Sequence, residues 1–431
     1  MPELNRLTAT EAAKKIAERR ISAEALVADC LARVAERDRD VQAWEFLDRE
    51  MALAQARLLD RELEKGPARG PLHGVPLGVK DIFDTFDMPS EYGSPIYRGN
   101  RPRNDAGTVA RARHVGMVIL GKTVTCELAT HVPSRTRNPL NLEHTPGGSS
   151  SGSAAAVADF MVPLAIGTQT VGSTIRPASY CGIVGYKPTF NLLSRSGCKC
   201  EADSLDTVGV MARSVPDVAA YAGTQVNDAR LINLPALERA PMIGICRPFD
   251  FGLAQAETAE ALERAARALA ASGARVVEIS LPNAFRPLRE AHQTVSTFEM
   301  WRSYGDEFYR DAEGIFPSLR ERIAEGGRIT GEAYAKAQQI GRECRAMLPD
   351  VMGECDVLLA PSAPGEAPNG LASTGSPVLT QIWTFLWVPA VTVPAHKGPN
   401  GLPVGLQVCG RIGDDPRTLA AAHWVHQRLA R

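Results

Sequence analysis

The sequence predicts an α/β fold, an α/β/α sandwich in which helices cover both faces of a large, mixed, mostly parallel central sheet. Short apolar runs typical of buried strands alternate with amphipathic segments typical of helices, as in residues 242–246, 257–271 and 274–279. No linker, charge run or internal repeat divides the 431 residues. We therefore expect a single domain over residues 1–431.

Residues 1–69 are predicted to form helices that pack on the sheet. Thr8 and Glu11 have the spacing of a capping box at the start of a first helix. Ser22 is a typical cap for a second helix, and a third helix is expected over residues 49–63. The outer faces of these helices are charged, which indicates packing rather than chemistry.

Residues 70–220 are expected to hold the core of the sheet, and residues 221–431 the remaining sheet, helices and pocket loops. Short apolar runs bounded by turn residues predict strands at 75–79, 117–121, 242–246, 274–279, 356–360, 391–393 and 404–408, and a turn with a short strand over 180–188. Helices are predicted over 106–113, 257–271, most of 287–350, and from about 416 to the end of the chain.

Two clusters of small hydroxyl and glycine residues, 147–153 and 168–173, flank a compact apolar segment. Glycine is frequent where a backbone turns sharply or comes close to a ligand. Because the segment between the clusters has room only for a short helix and a strand, we expect both clusters to meet at one point. A small molecule is expected to bind there to main-chain N–H groups, with serine hydroxyls beside it.

A lysine, Lys80, ends the apolar strand that precedes these clusters. Burial disfavours the charged form of lysine, so a lysine at the end of a buried strand is unusual. An ion pair with Asp81 or Asp84 would explain it without any catalytic role. This segment alone leaves both interpretations open.

The charge and the cysteine content exclude several classes of function. The formal net charge of −1 gives no electrostatic basis for binding nucleic acid or an anionic membrane. Nine scattered cysteines indicate free thiols in a reducing compartment. The close pair Cys198 and Cys200 has no second Cys/His pair at zinc-site spacing. Without a secretory signal or an apolar run of membrane-spanning length, we expect a cytoplasmic protein with no metal.

The serine-rich cluster matches several known motifs incompletely. A phosphate-binding loop requires a lysine after Gly152, where the chain has a serine. A nucleophile elbow matches residues 148–152, but the segment 137–146 before them cannot form the strand it requires. Ser196 and Lys199 fit a Ser-x-x-Lys motif without its partner motifs. A capped glycine turn would explain one cluster but hardly two.

The remaining interpretation joins Lys80, Ser149 and Ser173. Three segments carry it: GVPLGVKD at 74–81, PGGSSSGSA at 146–154 and GTQTVGSTIRP at 167–177. On these segments, the protein resembles the amidase signature family, with weaker similarity continuing over most of the chain after residue 70. The resemblance implies the amidase signature fold and amide hydrolysis without a metal or organic cofactor. It also implies that Ser173 is the nucleophile, Ser149 the cis-peptide serine and Lys80 the base.

Physical chemistry supports these roles. A serine hydroxyl is a weak nucleophile until a base accepts its proton, and no recognisable histidine motif follows the serines. Lys80 can be that base only when it is neutral, which burial favours. Ser149 would relay the proton from Ser173 to Lys80. The oxyanion would be held by main-chain N–H groups, those of Thr170, Val171, Gly172 and Ser173.

Two residues beside this site depart from the family pattern. Gln169 stands where many relatives have aspartate, and Val171 where many have glycine. Neither change removes a catalytic group, so we expect activity to survive. The shape of the substrates that the site accepts is expected to differ. Further substrate contacts are expected from Leu128, Ala129 and Gly148.

Three aromatic residues bear on the substrate class. Trp383, Phe385 and Trp387 stand within five residues of one another. They either belong to the core or face the cavity, and in the second case they indicate an apolar or aryl substrate. We expect a small amide, with carbamates and esters open to the same chemistry.

Two other functions compete with a small-molecule amidase. One is the glutaminase subunit of a tRNA-dependent amidotransferase, for which we identify no glutamine-recognising charge pair. The other is a non-catalytic binding or scaffold protein, which the presence of all three catalytic positions disfavours. The expected partner is a small-molecule amide or carbamate, with no nucleic acid and no membrane. Homodimerisation stays open.

Overall fold

The computed structural model describes residues 3–429, in which eleven strands form one sheet. The strands are β1 (Trp44–Leu47), β2 (Pro76–Lys80), β3 (Val118–Thr123), β4 (Leu164–Gln169), β5 (Val184–Lys187), β6 (Thr207–Ala212), β7 (Met242–Cys246), β8 (Arg275–Ile279), β9 (Val357–Pro361), β10 (Ala390–Lys397) and β11 (Pro403–Cys409). Their order across the sheet is β1-β3-β2-β4-β6-β5-β10-β11-β9-β7-β8. Each strand predicted above overlaps one of these strands, and the strand expected between the two small-residue clusters is β4. The sequence analysis missed two strands, β6 and β1, an edge strand too short to give a periodic signal.

The sheet is mixed, as predicted, but it is not mostly parallel. Four of the ten neighbouring pairs, β2–β3, β2–β4, β7–β8 and β7–β9, are parallel, and the others are antiparallel. Parallel neighbours need a long crossover connection. In this chain β5 leads to β6 through a loop, and β10 leads to β11 through a hairpin turn, so the centre of the sheet pairs antiparallel.

Fifteen α-helices in residues 3–429 surround the sheet. They are α1 (Ala9–Ala17), α2 (Ala23–Val41), α3 (Arg49–Lys65), α4 (Gly107–His114), α5 (Ser151–Ala158), α6 (Ile175–Tyr180), α7 (Val215–Val226), α8 (Ala229–Ile232), α9 (Ala256–Ala271), α10 (Leu288–Ser303), α11 (Gly305–Asp311), α12 (Pro317–Gly326), α13 (Gly331–Met352), α14 (Gln381–Phe385) and α15 (Asp415–Leu429). The predicted capping box at Thr8 is confirmed, and so is the cap of α2 by Ser22.

Helices cover both faces of the sheet, because successive side chains of a strand point to opposite sides. On β3, Ile119 belongs to a buried apolar cluster with α4 and α7, whereas Val118 and Leu120 belong to another with α2, α3 and α5. This arrangement confirms the predicted sandwich. Helix α10 packs on both α12 and α13.

The domain limits of the sequence analysis stay a prediction. The expected single domain over residues 1–431 extends two residues beyond the described part of the chain at each end. Among the helices of residues 3–429, none combines the length and the apolar character needed to cross a membrane.

Candidate active site

The two small-residue clusters meet where β4 ends and α5 begins. The hydroxyl of Ser150 donates to the carbonyl oxygen of Thr168 at 3.2 Å, and the Thr168 N–H donates back to that hydroxyl at 3.3 Å. Gly167 permits this approach, because a Cβ there would stand 2.5 Å from Ser150 Oγ. The predicted convergence of the clusters is confirmed.

Lys80 lies at the end of β2, fully buried at 0% exposure. Its amino group donates to Ser149 Oγ at 2.9 Å and to Thr168 Oγ1 at 2.7 Å. The peptide bond between Gly148 and Ser149 is cis. Burial removes water from the amine and lowers the pKa of Lys80 to about 8. Thr168, whose contact with the lysine the sequence analysis missed, lies in the second cluster.

The alternative explanation of Lys80, an ion pair at the strand end, is wrong. Asp81 pairs with Lys122, whose Nζ lies 2.7 Å from Asp81 Oδ1. Asp84 accepts a hydrogen bond of 2.5 Å from the hydroxyl of Tyr92. Both carboxylates are therefore engaged away from the Lys80 amine.

Ser173 follows β4 in a tight turn and faces a cavity of about 360 Å³. It is 8% exposed, and within residues 3–429 its hydroxyl makes no hydrogen bond to Ser149 or to another group. The main-chain N–H groups of Thr170, Val171, Gly172 and Ser173 likewise donate to no acceptor in this part of the chain. The turn thus offers a hydroxyl and a row of unused donors beside an open space.

The side chain of Gln169 holds this turn in place. Its Oε1 accepts the main-chain N–H groups of Thr174 at 2.9 Å and Ile175 at 3.0 Å. Its Nε2 donates to Thr384 Oγ1 at 2.9 Å, and that hydroxyl donates to the carbonyl oxygen of Val171 at 3.1 Å. Gln169 therefore supplies an acceptor at the start of α6 and a donor toward α14.

A second set of polar residues fixes the turn from the other side. The hydroxyl of Thr170 donates to Asp206 Oδ1, and Asp206 Oδ2 accepts the main-chain N–H of Glu201 at 2.6 Å. A ring nitrogen of His292, Nε2, lies 3.0 Å from the carbonyl oxygen of Thr170, and burial lowers the pKa of His292 to about 4, so the ring is neutral near pH 7. The sequence analysis missed Glu201 and His292, because neither belongs to a local motif.

Of the three substrate contacts expected near the turn, one lies in the cavity wall. Ala129 lines the cavity. Leu128 is buried and does not line the cavity, and its carbonyl oxygen accepts a 2.6 Å hydrogen bond from the hydroxyl of Tyr304. Gly148 does not line the cavity either, but its carbonyl oxygen accepts a 2.6 Å hydrogen bond from Arg176, which does.

The two tryptophans expected to bind substrate lie outside the cavity wall. Trp383 is fully buried in an apolar cluster with residues of α10 and α13. Trp387 stacks on Phe190 with a ring separation of 4.8 Å, and its Nε1 donates to the carbonyl oxygen of Ser204 at 2.9 Å. The aromatic segment forms a short helix packed in the core, so Trp383 belongs to the core, one of the two alternatives that the sequence left open. Contact of Trp387 with substrate stays a prediction.

The cavity wall is polar instead. Four of its buried side-chain atoms have no hydrogen-bond partner within residues 3–429, namely Arg176 Nε, Glu201 Oε1, His292 Nδ1 and Gln381 Nε2. Arg322 also lines the cavity and donates to Ser296 Oγ at 3.3 Å. Unsatisfied buried polar atoms are costly, which indicates a ligand that both donates and accepts hydrogen bonds.

The potential metal ligands of the chain are dispersed. Within residues 3–429, no group of three or more His, Cys, Asp or Glu side chains could hold a metal ion. All nine cysteines are free. The expected lack of a metal stays a prediction.

The chain is similar to known proteins over nearly all of its length. A family model described as Amidase matches residues 25–419. A glutamyl-tRNA(Gln) amidotransferase subunit from Acidothermus cellulolyticus is 35% identical over 471 residues, which cover 97% of this chain and 93% of that protein. A crystal structure of an amidase has 31% identity and a TM-score of 0.90, covering 98% of this chain and 100% of that one. The structure of the peptide amidase from Stenotrophomonas maltophilia has 30% identity and a TM-score of 0.84, covering 99% of this chain and 97% of that one.

Proposed function

The chain belongs to the amidase signature family and is a hydrolase of amide C–N bonds, and on that premise we propose that it cleaves a small polar amide through an acyl-enzyme on Ser173. Ser149 relays the proton and Lys80 is the general base. The observation that carries the proposal is the 2.9 Å contact between the buried Lys80 amine and Ser149, beside the turn that holds Ser173.

The base must be neutral to accept a proton. Desolvation lowers the pKa of Lys80 to about 8, so roughly one tenth of the amine is neutral at pH 7. In that form Lys80 accepts the Ser149 proton through the same contact, while Ser149 accepts the proton of Ser173. Within residues 3–429 no hydrogen bond holds the Ser173 hydroxyl, so it is free to rotate about its Cα–Cβ bond. The proposal requires that one of its rotamers brings it to Ser149.

The reaction then follows from the positions of these groups. Ser173 Oγ attacks the amide carbonyl, and the negative charge on the carbonyl oxygen is stabilised by the unused N–H groups of residues 170–173. The C–N bond breaks as Lys80 returns its proton through Ser149 to the leaving nitrogen. Water attacks the acyl-enzyme along the same path and regenerates the Ser173 hydroxyl.

The cavity supports a polar substrate rather than an aryl one. Arg176 Nε and Gln381 Nε2 are buried donors without partners in the described residues, and both line the cavity with Ser173. Acceptor atoms of a polar amide would satisfy them, whereas an aryl group would leave them unpaired. We therefore replace the apolar or aryl substrate of the sequence analysis by a polar one.

A serine-directed fluorophosphonate probe tests the nucleophile. We expect a single adduct that mass spectrometry of a peptide digest assigns to Ser173, together with loss of amide hydrolysis. Ser173→Ala should remove both, and Ser272→Ala, an exposed serine at the end of α9, should leave both unchanged. An adduct that persists in Ser173→Ala would refute the assignment.

A glutaminase belonging to a larger amidotransferase is the second candidate. It is favoured by the 35% identity to the Acidothermus cellulolyticus amidotransferase protein over 97% of this chain. Hydrolysis of glutamine by the isolated chain, compared with simple amides, separates the two functions. A glutaminase would prefer glutamine strongly over amides of similar size.

A further inference from the structure

We propose that Glu201 is a specificity-determining residue of the cavity, where its carboxylate binds an N–H donor carried by the substrate, either an ammonium or a ureido group. The inference rests on the proposed amide hydrolysis at Ser173 and narrows its substrate class. It follows from the position of one carboxyl group and from the groups around it.

Glu201 lines the same cavity as Ser173, and one of its carboxyl oxygens is buried without a partner in residues 3–429. The residue is 3% exposed and lies in the cavity wall. Its Oε1 accepts no hydrogen bond from residues 3–429. Leaving a buried carboxyl oxygen unpaired is costly, and a donor on the substrate would remove that cost.

The backbone of Glu201 is fixed relative to the reacting groups. Its main-chain N–H donates to Asp206 Oδ2 at 2.6 Å, and the other oxygen of Asp206 accepts the hydroxyl of Thr170. Thr170 begins the turn that ends at Ser173. Glu201 is therefore tied through one carboxylate to the proposed oxyanion site, as a recognition residue must be.

The charges around Glu201 leave its carboxyl available to a ligand. Burial and the negative charge of Asp206 raise the pKa of Glu201 to about 7. The positive charges of Arg322 and Lys80 and the Thr170 hydroxyl oppose that rise. Among the described residues, neither cation lies within 4 Å of Glu201; Arg322 donates instead to Ser296 Oγ and Lys80 to Ser149. A bound N–H donor would favour the ionised carboxylate.

The other unpaired atoms of the cavity wall explain why the part of the substrate that contacts Glu201 must donate a hydrogen bond. Arg176 Nε and Gln381 Nε2 are donors and require acceptors. Glu201 is the acidic member of the buried, unpaired set and requires a donor. A substrate with only carbonyl or carboxylate oxygens would satisfy the donors and leave Glu201 unpaired.

Three amides of similar size test the proposal at pH 7. Alaninamide carries an ammonium group, most of it protonated at this pH; N-carbamoylglycinamide carries neutral ureido N–H groups; propionamide carries neither. We expect one or both of the first two to exceed propionamide in kcat/KM by at least about ten-fold. Glu201→Leu should reduce that preference at least about ten-fold, because it removes the acceptor.

Glu201→Gln distinguishes the two donors. Glutamine keeps an acceptor oxygen but loses the charge, so a preference for the ammonium substrate should fall as far as in Glu201→Leu, whereas a preference for the ureido substrate should largely survive. Asp203→Asn, an exposed carboxylate two residues away, is the matched control and should not change any of the three ratios.

The results separate this inference from the proposed function. Equal kcat/KM for all three amides, or a preference that persists in Glu201→Leu, would overturn the role of Glu201 while hydrolysis at Ser173 stands. Failure to hydrolyse any amide, together with no fluorophosphonate adduct on Ser173, would overturn the proposed function itself. Thermal unfolding and probe labelling of each variant show that it is folded.

Discussion

The amino group of Lys80 lies 2.9 Å from the hydroxyl of Ser149 at the end of β2. The two nearest acidic residues in the sequence are engaged elsewhere, Asp81 with Lys122 and Asp84 with Tyr92. The lysine is thus buried among hydroxyl groups, and desolvation favours its neutral form. This contact has consequences for the pH dependence of the reaction and for the residues around it.

The first prediction concerns pH. Because only neutral Lys80 accepts a proton and its pKa is about 8, kcat/KM should rise through pH 8 and level off above it, falling about ten-fold per pH unit well below it. Propionamide is a suitable substrate because it does not titrate in this range. Glu201 has a pKa of about 7, so the profile should also be measured in Glu201→Gln. If the rise in kcat/KM disappears in Glu201→Gln, it reflects titration of Glu201, which would contradict the role of Lys80.

The second prediction concerns Thr168. Its hydroxyl accepts a 2.7 Å hydrogen bond from Lys80 Nζ, which favours the charged amine. Thr168→Val removes this acceptor with little change in volume, so the pKa of Lys80 should fall and the rise in kcat/KM should move to lower pH by up to about one unit. Thr384→Val is the control, because it removes a hydroxyl that contacts Gln169 and not Lys80. It should leave the pH at which kcat/KM rises unchanged. A shift to higher pH in Thr168→Val would contradict the proposed direction.

The third prediction concerns Gln169. Gln169→Leu leaves the buried N–H groups of Thr174 and Ile175 without their acceptor, so it should lower the free energy of unfolding by about 2–4 kcal/mol. It should also lower kcat more than it raises KM, since the turn positions donors that act in the transition state. Chemical denaturation and steady-state kinetics measure the two effects.

Gln407→Leu is the matched control for Gln169. Gln407 is also buried and donates to the carbonyl oxygens of Pro361 and Leu379 at 2.6 and 3.1 Å, but it does not touch the turn. It should lose stability while kcat stays near the wild-type value. Equal losses of kcat in both variants would show that Gln169 acts through general stability.

The sequence predicts best those parts of the site that lie in one contiguous stretch. Residues 147–153 and 168–173 lie close together in the chain. Their convergence around Ser150 and Thr168 follows from the short segment between them. The strands are predictable for the same reason, because an apolar run of five or six residues is a local signal. The relative direction of neighbouring strands is not a local property. The antiparallel pairing of β5, β6, β10 and β11 depends on the connections between them, which apolar runs do not encode.

The cavity wall is the part that local patterns could not predict. Glu201, His292 and Arg322 come from distant segments and meet only in the folded chain. Trp383 illustrates an ambiguity of the sequence, since clustered aromatic residues fit a pocket and a core equally well, and only the packing against α10 and α13 decides. A buried polar residue without a motif has no signal in a single sequence.

The last prediction concerns the buried ion pair behind the base. Lys122 Nζ lies 2.7 Å from Asp81 Oδ1, and the two residues are 0% and 1% exposed. Lys122 also donates to the carbonyl oxygen of Phe83 at 2.9 Å, so the pair fixes the segment that directly follows Lys80. Removing one member leaves the other charge buried and unpaired, so Asp81→Asn and Lys122→Met should each lower the free energy of unfolding by about 3–5 kcal/mol.

The double variant separates this unpaired charge from a loss of packing. If the cost of each single change comes from the charge left behind, the double variant Asp81→Asn/Lys122→Met should lose less free energy of unfolding than the two single variants together. The difference should exceed about 1 kcal/mol. Denaturation in urea measures all four proteins, and Arg230→Met, in an exposed pair with Asp228, should change little. Additive losses would mean that the two residues stabilise this segment independently, which would contradict the ion pair as the element that fixes the chain behind Lys80.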